Sequence, residues 1–240
     1  MVYWPQRPGP QLPMETTFSP WIQDDLANWA ALTRPEYLVR VPGRSILYTQ
    51  NETSDAVYLM RRGRARMLFF TNEGEEKVLL FLLPGALFGE TACLEGTTSL
   101  FHAETLTDCE LYRIPQDAFL KALAADPAMN ERVLRLMAHK NHVMAAQLIT
   151  TAFDDARVRV ACTLLQMADL FGRAEGGRVR LDLPVTQQDI ANLVKATRLT
   201  VGKALREFTA AGWLEKKNGR YWLLDRPALE RVAETGSMNE

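Results

Sequence analysis

The period of hydrophobic and polar positions changes several times along this 240-residue chain. From about 37 to 116 the apolar residues come in short runs: YLVRV, SILY, AVYLM, ARMLFF, KVLLFLL, FHAET and CELYRI. Turn formers separate them at Pro42-Gly43, Asn51, Gly63, Asn72-Glu73-Gly74, Pro84-Gly85, Gly89 and Gly96. Short strands about 8 to 12 residues apart predict an antiparallel sandwich or barrel. Ahead of them, Trp21, Ile22, Leu26, Trp29 and Leu32 have helical spacing and predict a short amphipathic helix over 21–33. Pro5, Pro8, Pro10, Pro13 and Pro20 make residues 1–20 an irregular arm.

The pattern turns helical at Asp126-Pro127, a capping residue followed by a proline suited to a first turn. Residues 128–152 contain no Gly or Pro, and Met129, Val133, Leu136, Met137, Val143, Met144 and Leu148 form one apolar face. Such a helix spans about 37 Å, which suits a connector or coiled coil as well as a core helix. Residues 156–171 predict a further helix, ended by Gly172 and Gly176-Gly177, and VRLDLPV predicts a short strand.

The most informative stretch runs from Thr186 to Asp225. Thr186 and Asp189 match a loose capping box. Ile190, Leu193 and Val194 give the first helix an apolar side, and Lys195-Ala196 can form a turn. Thr197 can cap a second helix that buries Val201, Ala204, Leu205 and Phe208 and stops at Gly212. Trp213–Lys217 and Arg220–Leu224 then flank Asn218-Gly219, a strong hairpin signal. Helix, tight turn, helix and hairpin in this order predict a winged helix-turn-helix. Thr197, Arg198, Leu199, Thr200, Lys203 and Arg206 occupy the free side of its second helix.

Charge sharpens that reading. The whole chain has net charge -1 and pI about 6.4, which argues mildly against nucleic acid. Between 185 and 222, however, seven basic residues face three acidic ones. Phosphate neutralisation needs that local excess rather than a basic whole chain. Three scattered cysteines, Cys93, Cys109 and Cys162, form no disulfide framework and fit a reducing compartment. No apolar run approaches the roughly 20 residues of a membrane helix, and the N-terminus has no signal-like apolar core. Cytoplasm is the expectation. No nucleophile elbow, phosphate loop or metalloprotease motif is present, so no enzymatic activity is expected. His139 and His142 alone make a weak metal site.

With these parts in order, the chain resembles the catabolite activator and fumarate-nitrate regulator (Crp/Fnr) family of bacterial transcription factors over about residues 25–225. The markers are Gly63, Gly74, PGALFGE (84–90), CELYRI (109–114) and QDIANLVKATRLTVGKAL (188–205). The resemblance implies an α+β fold. A cyclic-nucleotide-binding-like jelly-roll sensor barrel over 21–127 is followed by a dimerising helix over 128–152 and a DNA-binding head over 153–240. It implies a homodimer meeting at Val133, Leu136, Met137, Lys140, Val143, Met144 and Leu148. It also implies a palindromic DNA site read through Thr186, Gln187, Thr197, Arg198, Leu199, Thr200, Lys203 and Arg206, with RNA polymerase as a further partner. Two half-sites one DNA turn apart, about 34 Å, match such a dimer.

Departures from the family pattern bear on the effector. The Gly-Glu pair of cyclic-nucleotide binders is present as Gly89-Glu90, but their Arg-Ser pair falls at Ser99-Leu100. Losing a guanidinium removes the charge-assisted fork that a cyclic phosphate needs. The family's purine-contacting Thr-Ser falls at Met144-Ala145. Three cysteines cannot supply the four thiolates of an iron–sulfur cluster, and His102 lies four residues from the haem-ligand position, so neither cofactor is expected. Lys140 stands where regulators of organohalide respiration, the branch closest in features, carry a lysine. Four roles are open to it: pairing with Glu90, binding an anionic aromatic effector, doing each in a different state, or extending to solvent as a surface lysine. The expected effector is a small aromatic or organic anion held by Gly89, Glu90, Thr91, Ala92, Ser99, Leu100, Lys140 and Met144. The alternatives are a cyclic nucleotide and a barrel without a ligand. On the DNA side, Leu199 replaces the family's glutamate.

Overall fold

The computed structural model describes residues 19–53, 55–182 and 186–236. The proline-rich arm up to residue 18 and the LPV end of VRLDLPV lie outside the described residues. Contacts divide the chain into two compact units, with the boundary between residues 145 and 146.

The first unit is built from β1 (Trp21–Ile22), β2 (Leu38–Val41), β3 (Ile46–Tyr48), β4 (Ala56–Arg62), β5 (Ala65–Phe70), β6 (Glu76–Leu82), β7 (Leu87–Phe88), α1 (Glu90–Glu95), β8 (His102–Thr105), β9 (Cys109–Pro115), α2 (Gln116–Ala125) and α3 (Pro127–Phe153), which continues into the second unit. The strands form a five-stranded sheet in the order β1-β6-β5-β8-β3 and a four-stranded sheet in the order β2-β9-β4-β7. The alternation read from the sequence becomes inward-facing Tyr58, Met60, Met67, Leu80, Leu82, Phe88 and Leu111, all in one core. At the turn between β4 and β5, Gly63 has φ 100°, and a Cβ there would lie 2.5 Å from the Asp108 carbonyl oxygen. Only glycine fits that close approach.

Residues 21–33 do not form the expected amphipathic helix. Trp21 and Ile22 pair in parallel with Phe81 and Leu82, and only Leu26–Leu32 turns, as a 3-10 helix capped by Asp25. The apolar spacing was correct as burial, since Trp29 and Leu32 are core residues. An available sheet edge took the first two positions. The sequence reading also missed α1 and α2, which interrupt and follow strand-like segments.

The long helix α3 runs from Pro127 to Phe153, within a residue of its expected limits. Its apolar face, however, is already covered. Met129 and Val133 pack in one barrel cluster and Val143 in the other, with Leu136, Met137 and Met144 partly buried against them. Lys140 is buried as well, at 6% exposure. Of the seven residues expected at a dimer interface, Val133, Lys140 and Val143 are buried within their own chain, and Leu136, Met137 and Met144 are partly buried. Of the seven, Leu148 alone is exposed, at 73%. A different line of exposed residues runs along α3: Leu134, Ala138, Asn141, Ala145 and Leu148. Its alternating steps of four and three make an a/d seam.

The second unit contains α4 (Ala156–Phe171), β10 (Gly172–Glu175), β11 (Arg178–Leu181), α5 (Gln187–Val194), α6 (Arg198–Ala210), β12 (Leu214–Lys217), β13 (Arg220–Leu223) and α7 (Arg226–Thr235). The strands form one sheet in the order β10-β11-β13-β12. Its buried residues include Leu164, Ile190, Val201, Leu205, Phe208, Leu214, Leu223 and Leu229. Asn218 and Gly219 both have positive φ, 52° and 75°, as a tight primed turn requires. Strand β10 and helix α7 were not foreseen.

Candidate DNA interface and effector cavity

The head presents α6 through two caps and a strained turn. Thr186 Oγ1 accepts from the Asp189 amide at 3.1 Å while the Thr186 amide donates to Asp189 Oδ2 at 2.9 Å, so the capping box that starts α5 is complete. Lys195 ends α5 in the left-handed region, at φ 49°. Thr197 then caps α6 by accepting from the Thr200 amide at 3.1 Å. The burial of Val201, Ala204, Leu205 and Phe208 fixes which side of α6 faces out. Arg198, Leu199, Thr200, Lys203 and Arg206 are therefore exposed, with Thr186 and Thr197 beside them. Leu199 is 77% exposed. Gln187 differs: it is half-buried, and its Nε2 donates to the Tyr221 hydroxyl at 3.4 Å.

Arg159 was missed by the sequence reading. From α4 its guanidinium donates to main-chain carbonyls at both ends of a junction. Asp154 and Thr150 accept on the side of α3, and Val194, at 2.8 Å, and Lys195 accept at the end of α5. These carbonyls lie at helix C-termini, which lack intrahelical donors and favour a cation. Only the fold brings them together, so no local motif marks the residue.

In the first unit, Gly89, Glu90, Thr91, Ala92, Ser99, Leu100, Lys140 and Met144 all line one cavity of about 300 Å³. Tyr48, Met67, Phe101 and Asn141, which the sequence had not singled out, also line it, as does Met137, expected only on the apolar face of the long helix and at the dimer interface. Strand alternation carried a signal for Tyr48, Met67 and Phe101. Gly89, at φ 84°, starts α1 and turns Glu90 inward. Lys140 Nζ donates to Glu90 Oε1 and to the Leu87 carbonyl, both at 2.8 Å. Both partners are buried, so of the roles open to Lys140 the structure displays the pairing and excludes the surface lysine. It is the one Lys or Arg among the described lining residues. Burial, and then the Glu90 charge, push the Tyr48 phenol well above its ordinary range, so it is a neutral hydroxyl.

The positions expected for the family's Arg-Ser pair, Ser99 and Leu100, carry no cation. Ser99 Oγ donates to the Phe101 carbonyl at 2.8 Å and accepts from the Phe101 amide at 3.2 Å, which closes its own turn. Leu100 is 61% exposed.

Comparisons with known proteins agree with both halves. Residues 38–126 match the cyclic nucleotide-binding domain and residues 158–232 the Crp-like helix-turn-helix domain. The CRP-like cAMP-activated global transcriptional regulator of Mycobacterium tuberculosis (strain ATCC 25618 / H37Rv) is 31% identical over 204 residues, covering 85% of this chain and 91% of its own. The cAMP-activated global transcriptional regulator CRP of Salmonella typhimurium is 28% identical over 174 residues, covering 71% and 81%. The crystal structure of a CRP-family transcriptional regulator from Thermus thermophilus superposes with a TM-score of 0.69 at 27% identity, covering 84% and 98%.

Proposed function

Since the chain belongs to the Crp/Fnr family of bacterial transcription regulators, we propose that it is a cytoplasmic, non-catalytic homodimer. In this reading it binds a palindromic promoter site and answers to a small aromatic or organic acid rather than to cyclic AMP. The observation that carries the effector class is the cavity's charge: no guanidinium, and a single lysine already held by Glu90. A cyclic phosphate entering it gains no free cation and meets Glu90 and Glu95. A small acid with an aromatic body fits better. Met67, Phe101, Met137 and Met144 offer it apolar and sulfur contacts, and its acid group replaces Glu90 on Lys140. That exchange frees Glu90 at the start of α1 and changes how α3 is held, giving the ligand different contacts in two states. Helix α3 leads to Arg159, which ties its end to the turn before α6.

Two copies meet along the seam from Leu134 to Leu148 and present two α6 helices to successive major grooves. Arg198 and Lys203 suit guanine or phosphate, and Leu199 suits a thymine methyl. Half-sites richer in A·T than those of the cyclic-AMP branch follow. RNA polymerase is the proposed further partner.

Thermal-shift screening tests the effector. Halophenols or aromatic carboxylic acids are expected to raise the melting temperature, and cyclic AMP to leave it unchanged. Stabilisation by cyclic AMP alone would establish the cyclic-nucleotide reading, which the names of the two relatives favour. Stabilisation by neither class would favour a barrel without a ligand. For DNA, selection from a random duplex pool is expected to return A·T-rich half-sites, and Leu199→Glu to change them. An unchanged preference would remove Leu199 from the reader.

A further inference from the structure

The head's sheet has a second charged surface away from α6. Cross-strand partners share a face, and Arg173, Arg180, Trp222 and Glu215 lie in one row across the four strands. On the same face, Glu175 and Arg178 lie one step beyond this row in one direction along the strands, and Arg220 and Lys217 one step beyond it in the other, toward the hairpin tip. The opposite face carries Leu181, Leu214, Tyr221 and Leu223, which are buried, so the charged face points outward. Five cations stand there against Glu175, Glu215 and the neighbouring Asp182.

The acids orient the guanidinium groups without consuming them. Asp182 accepts from Arg173 Nε at 2.7 Å, Arg180 Nε at 2.7 Å and an Arg220 terminal nitrogen at 3.1 Å. Arg178 donates one terminal nitrogen to Glu215 at 3.2 Å. Each arginine has five N–H donors in a fixed fork, so Arg173, Arg178 and Arg220 keep others for an outside acceptor. Their side chains are 72%, 56% and 53% exposed. Arg180 lies 5.8 Å over the Trp222 ring, which holds the middle of the patch rigid. The face begins at the Asn218-Gly219 hairpin tip, through Lys217 and Arg220, and continues outward to the edge strand β10.

We propose that this face binds DNA phosphates flanking the half-site, so that each head grips more duplex than α6 reads. The proposal rests on the reading of α5 and α6 as the half-site reader, with which the patch is continuous at the hairpin. That continuity, and donor forks suited to phosphate oxygens, favour DNA over an acidic protein. Contacts of this kind carry no base information and add affinity that falls with salt.

The test uses the duplex recovered by selection with the full-length protein, cut to end at the half-sites or extended by about ten base pairs, one turn, at each end. The wild-type protein is expected to bind the long duplex more tightly and with a steeper dependence of log K on log salt. Arg173→Gln with Arg178→Gln leaves Asp182 its other two arginines. This double variant is expected to bind the short duplex normally. On the long one its slope should fall by about 4, close to one for each arginine in each of two heads. Equal affinity and slope for double variant and wild type on the long duplex overturns the proposal and leaves the face to an acidic protein. Arg198→Ala reads the underlying assignment separately: it should weaken both duplexes. If it weakens neither, the α6 reading fails, and the long-duplex slope of the double variant still decides the flanking contact.

Discussion

Lys140 and Glu90 lie fifty residues apart in sequence and 2.8 Å apart in the fold, both almost fully buried. Removing one member of such a pair strands the other charge, at a cost of about 3–5 kcal/mol, whereas replacing both can be nearly neutral. Lys140→Ala should therefore lower stability by that order, and Lys140→Met combined with Glu90→Gln should restore most of it. Chemical denaturation measures both, and a single variant as stable as the double would show that the pair is not coupled. On the same helix, burial first, then His142 and Lys140, hold His139 below the usual imidazole range. Its folded pKa lies below its unfolded one, near 6.5. The unfolded chain thus binds more protons on the acid side, and stability present above about pH 6.5 is lost as pH falls. Unfolding free energy should drop between about pH 7 and 5, and His139→Gln should flatten the drop; a slope that His139→Gln leaves unchanged would assign the effect to other groups. The sequence identified Glu90 and Lys140 as candidates from the resemblance, but left the state of Lys140 open.

At the scale of the element, α3 shows that a periodicity marks a buried face without naming what buries it. The stripe Met129, Val133, Leu136, Met137, Val143 and Met144 is apolar and wholly or partly buried against its own barrel. The next stripe around the helix is left exposed, with Leu134 at 67% and Leu148 at 73%. It is less apolar, since Asn141 and two alanines share it, and the stronger pattern concealed it. Leu134→Glu with Leu148→Glu should give a folded monomer, detectable by sedimentation, with a melting temperature within a few degrees of wild type. Val133→Glu should instead unfold the barrel, because it puts an unpaired charge into a packed core. A dimer that survives the double substitution would remove this seam. The caps behaved differently. Thr186, Asp189, Thr197, Asn218 and Gly219 act within a few residues of themselves, and each does what its local chemistry predicts.

For the whole molecule, charge is segregated. Residues 153–240 carry fourteen basic and twelve acidic side chains, while the rest of the chain carries fourteen and seventeen. The pI of about 6.4 therefore conceals the sign of the surface that matters. Above that pH, where the chain is net negative, DNA affinity should still fall linearly in log–log form as salt rises. Binding at pH 7.5 that ignores salt would contradict a phosphate-based interface.

The sequence alone determined what is decided locally. Strand alternation, the long helix, the caps, the hairpin turn and the basic side of α6 each depend on residues within about a helical turn or a strand length. Tertiary structure decided what depends on contacts distant in the chain. It selected which face of α3 the barrel covers, drew Trp21 and Ile22 into a sheet edge, and joined Lys140 to Glu90. It also gathered four carbonyls around Arg159 and aligned five cations on one side of a sheet. A periodic pattern specifies that a face is buried without specifying what buries it, and only the packed core supplies that partner.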